Sequence, residues 1–219
     1  MNPEFWQTRW QEKRIGFNQS EVNPSLIKYF SDLKLPTGSR VLVPLCGKSI
    51  DMVWLAAQGY GVVGVELVES AVREFFAGNN ISYTIKAHSE HSNVKCYQGS
   101  LSGQTIELWV ANIFMLGTND IGRVDAVYDR AALIAMPTEL RPQYSQQVID
   151  LSQNAPQLLL TLNYDQNEWA GPPFSISHEQ IQQYYSAHYN IHELEGEPSV
   201  LNAAPEMAVT EHVWLLNKP

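Results

Sequence analysis
Apolar positions along the chain fall into two kinds of run. Near-helical spacing marks Phe5, Trp6 and Trp10, is broken by Gly16 and the Asn23-Pro24 step, and resumes at Leu26, Ile27, Tyr29 and Phe30. Short unbroken runs mark strands instead. Residues 40–45 form the first and 61–66 the second, and Val62-Val63-Gly64-Val65 lacks polar alternation, as a strand covered on both faces does. Between them the turn Cys46-Gly47-Lys48-Ser49 leads into a helix, with Ser49 expected as N-cap and Asp51 in the first turn. The helix after the second strand carries Val68, Val72, Phe75 and Phe76 on one side. The opening is therefore β-α-β-α.

Residues 81–104 are polar and read as loops and short strands inserted in the domain. Strands are expected at 105–114, 124–128 and 157–163. A helix over 139–153 places Leu140, Tyr144, Val148 and Leu151 at steps of four, four and three. The segment 165–174, ending Gly171-Pro172-Pro173-Phe174, is a stiff loop. A helix at about 178–187 and strands near 191–195 and 208–216 complete the chain. Strands alternating with helices at this rhythm predict an α/β fold, a mostly parallel sheet with right-handed crossovers and helices on both faces, and ligands then bind beyond the carboxyl ends of the strands.

Composition narrows the picture. A chain of 219 residues with 44% hydrophobic and 17% charged residues suits one soluble domain spanning 1–219, with 1–35 as a helical cover. Its net charge of -9, without a basic run, disfavours nucleic acid. No apolar stretch approaches 18 residues, and the opening Met-Asn-Pro-Glu-Phe-Trp resembles no secretory signal, so neither a membrane partner nor export is expected and a cytoplasmic location is. Cys46 and Cys96 are expected to be free thiols. No surplus apolar stripe is evident, and a monomer is expected.

Several motifs fail on inspection. Gly47-Lys48-Ser49 imitates a Walker loop, but Leu42 stands where that loop needs glycine, and the glycines of a dinucleotide fingerprint are missing after Gly47. His188 and His192 have zinc-ligand spacing with Tyr189 in place of the metalloprotease glutamate, and His88 and His91 lack companions, so all four read as surface or loop residues and no metal is expected. Cys46 is either a nucleophile at a helix start or a buried small hydrophobe. Glu66, nineteen positions beyond Gly47, ends its strand where an acidic residue can accept hydrogen bonds from ribose hydroxyls, or is merely solvated. Trp6 and Trp10, one helical turn apart, are core packing or an aromatic clamp for a purine and a cation.

Read together, Phe5-Trp6-x3-Trp10, Gly16-Phe17, Val43-Pro44-Leu45-Cys46-Gly47-Lys48, Val63-Gly64-Val65-Glu66, Tyr128-Asp129-Arg130-Ala131-Ala132-Leu133 and Tyr164-Asp165 with Gly171-Pro172-Pro173-Phe174 resemble the thiopurine S-methyltransferase family, its bacterial branch above all. The match runs to about residue 186. The resemblance implies a class I methyltransferase fold, Rossmann-like, with seven strands of which the last is antiparallel, and S-adenosylmethionine as methyl donor without a metal. It assigns Trp6, Trp10, Leu45, Glu66, Asn112, Ile113 and Arg130 to the donor. Phe17, Arg130, Pro172, Pro173 and Phe174 would wall the acceptor pocket. The implied partner is a small-molecule aromatic or heteroaromatic thiol. Selenium or tellurium oxyanions, a metabolite thiol, or a non-catalytic role in binding adenosyl ligands stay open at this point. No catalytic residue is assigned: Asp129 is a conceivable proton acceptor or a structural partner. The vertebrate members' further arginine before the last strand has no counterpart in 199–207.

Overall fold
The computed structural model describes residues 3–202 and 204–219. Its strands are β1 (Arg40–Pro44), β2 (Gly61–Glu66), β3 (Tyr83–Ala87), β4 (Lys95–Leu101), β5 (Gln104–Val110), β6 (Ala126–Asp129), β7 (Gln157–Asn163), β8 (Asn190–Leu201) and β9 (Ala204–Asn217). Its helices are α1 (Pro3–Gln11), α2 (Pro24–Tyr29), α3 (Asp51–Ala57), α4 (Glu69–Gly78), α5 (Thr118–Ile121), α6 (Arg141–Ser152) and α7 (His178–Tyr185). One sheet takes all nine strands in the order β3-β4-β5-β2-β1-β6-β7-β9-β8.

The expected seven strands are all in this sheet, as β5-β2-β1-β6-β7-β9-β8, but among the described residues the count is nine. The hairpin β3–β4 supplies the other two, pairing Lys95 with Val110 and Leu101 with Gln104 along β5. It comes from the segment read as loops and short strands. Tyr83, Ile85 and Ala87 alternate with polar residues, but every residue of β3 is exposed and the run is only five residues long within a polar segment, so it does not stand out in the sequence. The pairs β1–β2, β1–β6, β2–β5 and β6–β7 are parallel, whereas β9 runs antiparallel between β7 and β8.

Alternate residues of the central strands feed two cores. Leu42, Val63, Val127 and Leu159 face Tyr144 and Val148 of α6 and Ile181 and Tyr185 of α7. Val41, Val43, Val62 and Leu160 face Leu26 of α2, Met52 and Leu55 of α3, and Val72, Phe75 and Phe76 of α4. Helices thus cover both faces, and the polar work falls to the strand ends. The last two strands are longer than their apolar runs, because β8 is an edge strand with mostly exposed or half-buried side chains.

The start of α3 differs from expectation. Ile50 occupies the N-cap position with no capping side chain, while Ser49 Oγ accepts from Asp51 N at 3.2 Å. Asp51 is fully buried.

Candidate functional site
The order in which strands are added reverses at β1: β2 lies on one side and β6 on the other, so a crevice opens at the carboxyl ends of these parallel strands. A cavity of about 320 Å³ fills it. Leu45, Glu66 and Arg130 meet there from the ends of β1, β2 and β6. Leu45 and Ala131, both lining it, hold left-handed backbone at φ 48° and 62°, a conformation that costs side-chain-bearing residues about 1–3 kcal/mol and is concentrated at functional sites.

The N-terminal segment roofs the cavity. Trp6 and Trp10 each meet Phe17 edge-on, with ring centroids 5.8 Å apart in both pairs, and all three line the space. Trp10 also rests on the turn after β1: a Cβ at Gly47, whose φ is +53°, would stand 3.2 Å from its indole. Both the left-handed backbone and the tight contact favour glycine there. This packing makes Trp10 a buried residue as well as a wall, so the two readings of the indoles are not exclusive.

Glu66 is 7% exposed, and its two oxygens each accept one backbone N–H, from Gly47 at 2.9 Å and Val68 at 2.7 Å. Burial pushes its carboxyl up to about 7 against the pull of those amides. A carboxylate oxygen has room for a further donor, and this group borders the cavity, so it is a buried acceptor pair that a ligand with two adjacent hydroxyls would complete.

Arg130 is held from three sides. Its Nε donates to Asp51 Oδ2 at 2.8 Å, Nη1 to the Phe17 carbonyl and Nη2 to Ser49 Oγ, both at 3.3 Å. Burial opposes its charge, but Tyr128 and Asp51 more than offset it and its pKa is raised. Asp51 in turn accepts from Tyr128 Oη at 3.0 Å and from Asn23 N at 2.9 Å, so one carboxylate ties the cover, β6 and α3 together. Glu211 lines the same cavity and burial raises its carboxyl too.

Not every candidate residue reaches the cavity. Pro172 and Pro173 line it, whereas Phe174 does not: its N donates to the Ile134 carbonyl at 2.7 Å and the Arg141 guanidinium lies 5.6 Å from its ring centre. Asn112 and Ile113 follow β5 beside Glu66, since Ala111 N donates to the Glu66 carbonyl, but Asn112 Oδ1 accepts from Phe114 N and Ile113 is buried in the core. Asp129 is fully buried, accepts from Tyr144 Oη at 2.6 Å and Leu133 N at 3.1 Å, and is a structural partner. Burial sets its carboxyl at about 6. Cys46 is a buried free thiol whose pKa burial raises, the opposite of an activated nucleophile.

The histidines also sort themselves. His192 lies on β8, beyond the end of α7, so His188 and His192 share no helix. His88 is in a loop as expected, but its side chain is nearly buried and its Nε2 lies 2.9 Å from Asp120 Oδ1.

Among the residues of the site that the sequence did not pick out, four bear on its chemistry. Arg9 stands one turn from Trp6 on the same helix, and Trp169 sits in the Gly-Pro-Pro loop; both line the cavity, and Arg9 Nε and Trp169 Nε1 are buried donors without acceptors. Their positions next to recognised motifs were the available signal. Asp51 and Glu211 had none, because each depends on strand pairing far along the chain.

A family model described as thiopurine S-methyltransferase (TPMT) matches residues 1–218. The thiopurine S-methyltransferase of Psychrobacter cryohalolentis is 84% identical over 219 residues, all of both chains, and that of Teredinibacter turnerae is 41% identical over 218 residues, 100% of this chain and 98% of the relative. In fold, a SAM-dependent methyltransferase from Anabaena variabilis aligns with a TM-score of 0.64 at 12% identity, covering 100% of this chain and 96% of that one. A Burkholderia thailandensis 1,6-didemethyltoxoflavin-N1-methyltransferase, solved with bound 1,6-didemethyltoxoflavin and S-adenosylhomocysteine, aligns with a TM-score of 0.63 at 12% identity, covering 99% of this chain and 87% of that one. At these identities the structures speak to the fold alone.

Proposed function
The chain belongs to the thiopurine S-methyltransferase family, and from that premise we infer that it is an S-adenosylmethionine-dependent methyltransferase acting on the sulfur of thiopurines and related heteroaromatic thiols. The observation that carries the reading is Glu66: a buried carboxylate at the end of β2 with acceptor capacity left over, under an aromatic roof, at the reversal point of the sheet. The residues present fit the donor. Glu66 would take its ribose hydroxyls, Trp6 and Trp10 its aromatic and cationic parts, and Leu45 its amino-acid portion. When bound, S-adenosylmethionine supplies an electrophilic methyl group on a positively charged sulfur.

What the chain must add is alignment and dryness. In-line displacement gains most of its rate from holding the reacting atoms in register, and Trp6, Trp10 and Phe17 close the space from above while Pro172 and Pro173 fix the wall opposite. Carboxylates at Glu66 and Glu211 make the cavity hospitable to a cationic donor. Arg130 presents a fixed positive charge to an incoming thiolate. Heteroaromatic thiols are more acidic than an ordinary thiol of pKa about 8.5, so they arrive as anions and need no protein base. Arg9 Nε and Trp169 Nε1 offer donors to the ring nitrogens of such an acceptor. On this reading residues 1–219 work as one donor-binding unit with 1–35 as its cover.

The test is calorimetric titration of the protein with S-adenosylmethionine and S-adenosylhomocysteine, followed by methyl-transfer assays on aromatic and heteroaromatic thiols. Tight donor binding with S-methyl product is expected; donor binding without transfer to any thiol would sink the acceptor assignment.

A further inference from the structure
Outside the methyl-transfer pocket, the start of α7 and the β8–β9 hairpin bring two imidazoles to one carboxylate. His178 Nε2 lies 2.9 Å from Glu193 Oε2, His212 Nδ1 lies 2.6 Å from Glu193 Oε1, and candidate donor atoms of the three residues all fall within 4.8 Å of one another. The local backbone is shaped for this meeting. A register shift between Glu193 and Glu195 sets Glu193 opposite Trp214 and Gly196 opposite His212. Such bulges re-aim side chains. Gly196 then leaves the space bare: a Cβ there would stand 2.9 Å from Glu193 Oε1 and 3.1 Å from His212 Nδ1. The Trp214 ring buttresses both imidazoles, stacked on His212 at 5.7 Å and edge-on to His178 at 4.9 Å between centroids.

We propose that His178, Glu193 and His212 form a site for one divalent ion of the zinc class, separate from the methyl-transfer pocket. Two imidazole nitrogens and a carboxylate oxygen are a donor set that suits zinc, with the fourth position left to water. Tetrahedral ligands at 2.0–2.2 Å stand about 3.4 Å apart, so a pair of donors at the 4.8 Å limit must close by roughly 1.4 Å. His178, half-exposed at the first position of α7, has the freedom to make that move, while His212, nearly buried, is already fixed. Binding replaces the two imidazole–carboxylate hydrogen bonds by coordination and ties α7 to the hairpin.

The site is tested on the full chain, stripped with a chelator and titrated with zinc chloride by calorimetry at pH 7.5, with cobalt(II) absorption as a check on coordination. One equivalent should bind, and the melting temperature should rise by roughly 5–10 °C at about a hundredfold excess over Kd. His178→Ala and Glu193→Gln should each weaken binding on the order of tenfold or more, while His91→Ala, from the other histidine pair, should bind as the unaltered chain does. Because His178 is half-exposed, its alanine variant keeps the fold, and its methyl transfer in zinc-free buffer should be unchanged. No binding by the unaltered chain, undiminished binding by His178→Ala, or loss in His91→Ala alone would overturn the proposal. Each of these outcomes leaves the methyltransferase reading standing, and failure of methyl transfer leaves the zinc result standing.

Discussion

Glu66 closes β2 and Asp129 closes β6, on either side of β1, and both carboxyls are buried and titrate well above the ordinary range, at about 7 and about 6. Each also accepts one donor on each oxygen. They differ in what lies beyond those donors. Asp129 is sealed, with Tyr144 and Leu133 filling its surroundings, so its hydrogen bonds hold β6 to α6 and to the turn at 133–135. Glu66 faces a cavity. Burial and a raised pKa therefore do not by themselves mark a ligand-binding acid; unused acceptor capacity turned toward open space does.

Substitution separates the two ends most sharply at Glu66. Replacing it with alanine removes both acceptors and should weaken donor binding by about a hundredfold or more, with little change in the KM for the thiol, as calorimetry and steady-state kinetics would report. Equal losses on both ligands would break the comparison. Asp129→Asn should do the reverse, leaving donor affinity intact while lowering stability by about 1–3 kcal/mol, a fall of several degrees in melting temperature.

Arg130→Ala should depress kcat for heteroaromatic thiols by about tenfold, with donor affinity less affected. Asp51→Asn, which loosens the guanidinium without deleting it, should give part of that loss. The smallest effect is the pH response. Only ionised Glu66 accepts two hydroxyl donors, so donor affinity should rise several-fold from pH 6 to pH 8 and level off above, and Glu66→Gln should flatten the profile. Both acids hold more protons folded than unfolded between about pH 4 and their native values, so their contribution to stability falls as pH rises through 6 and 7.

Legibility in the sequence followed the same division between interior and edge. The strands β2 and β7 match their apolar runs residue for residue, because both are covered on two faces and their pattern is written in valines and leucines. The hairpin β3–β4 lies at one sheet edge, where short, partly polar strands carry no such run, and the strand count was short for that reason, whereas the outer strand β8 was expected but extends past 191–195. In the site, Trp6, Trp10, Leu45, Glu66 and Arg130 stood beside motifs. Asp51 could be placed in the first turn of α3 but not recognised as the partner of Arg130, since 79 residues separate the two. The same holds for Glu211, brought to the cavity by pairing with Leu162.

Gly171 bears on how such a pocket can change over generations. At φ +78°, a Cβ on this residue would meet the Phe174 ring at 2.4 Å, so any side chain at 171 is barred while Phe174 keeps its place. Phe174 is itself engaged by Arg141 and by the Ile134 carbonyl. Any lineage that gains a side chain at 171 must first shift the phenylalanine, passing through a form with a loosened loop. The two positions are thus epistatic, and the loop is a historical barrier as much as a wall.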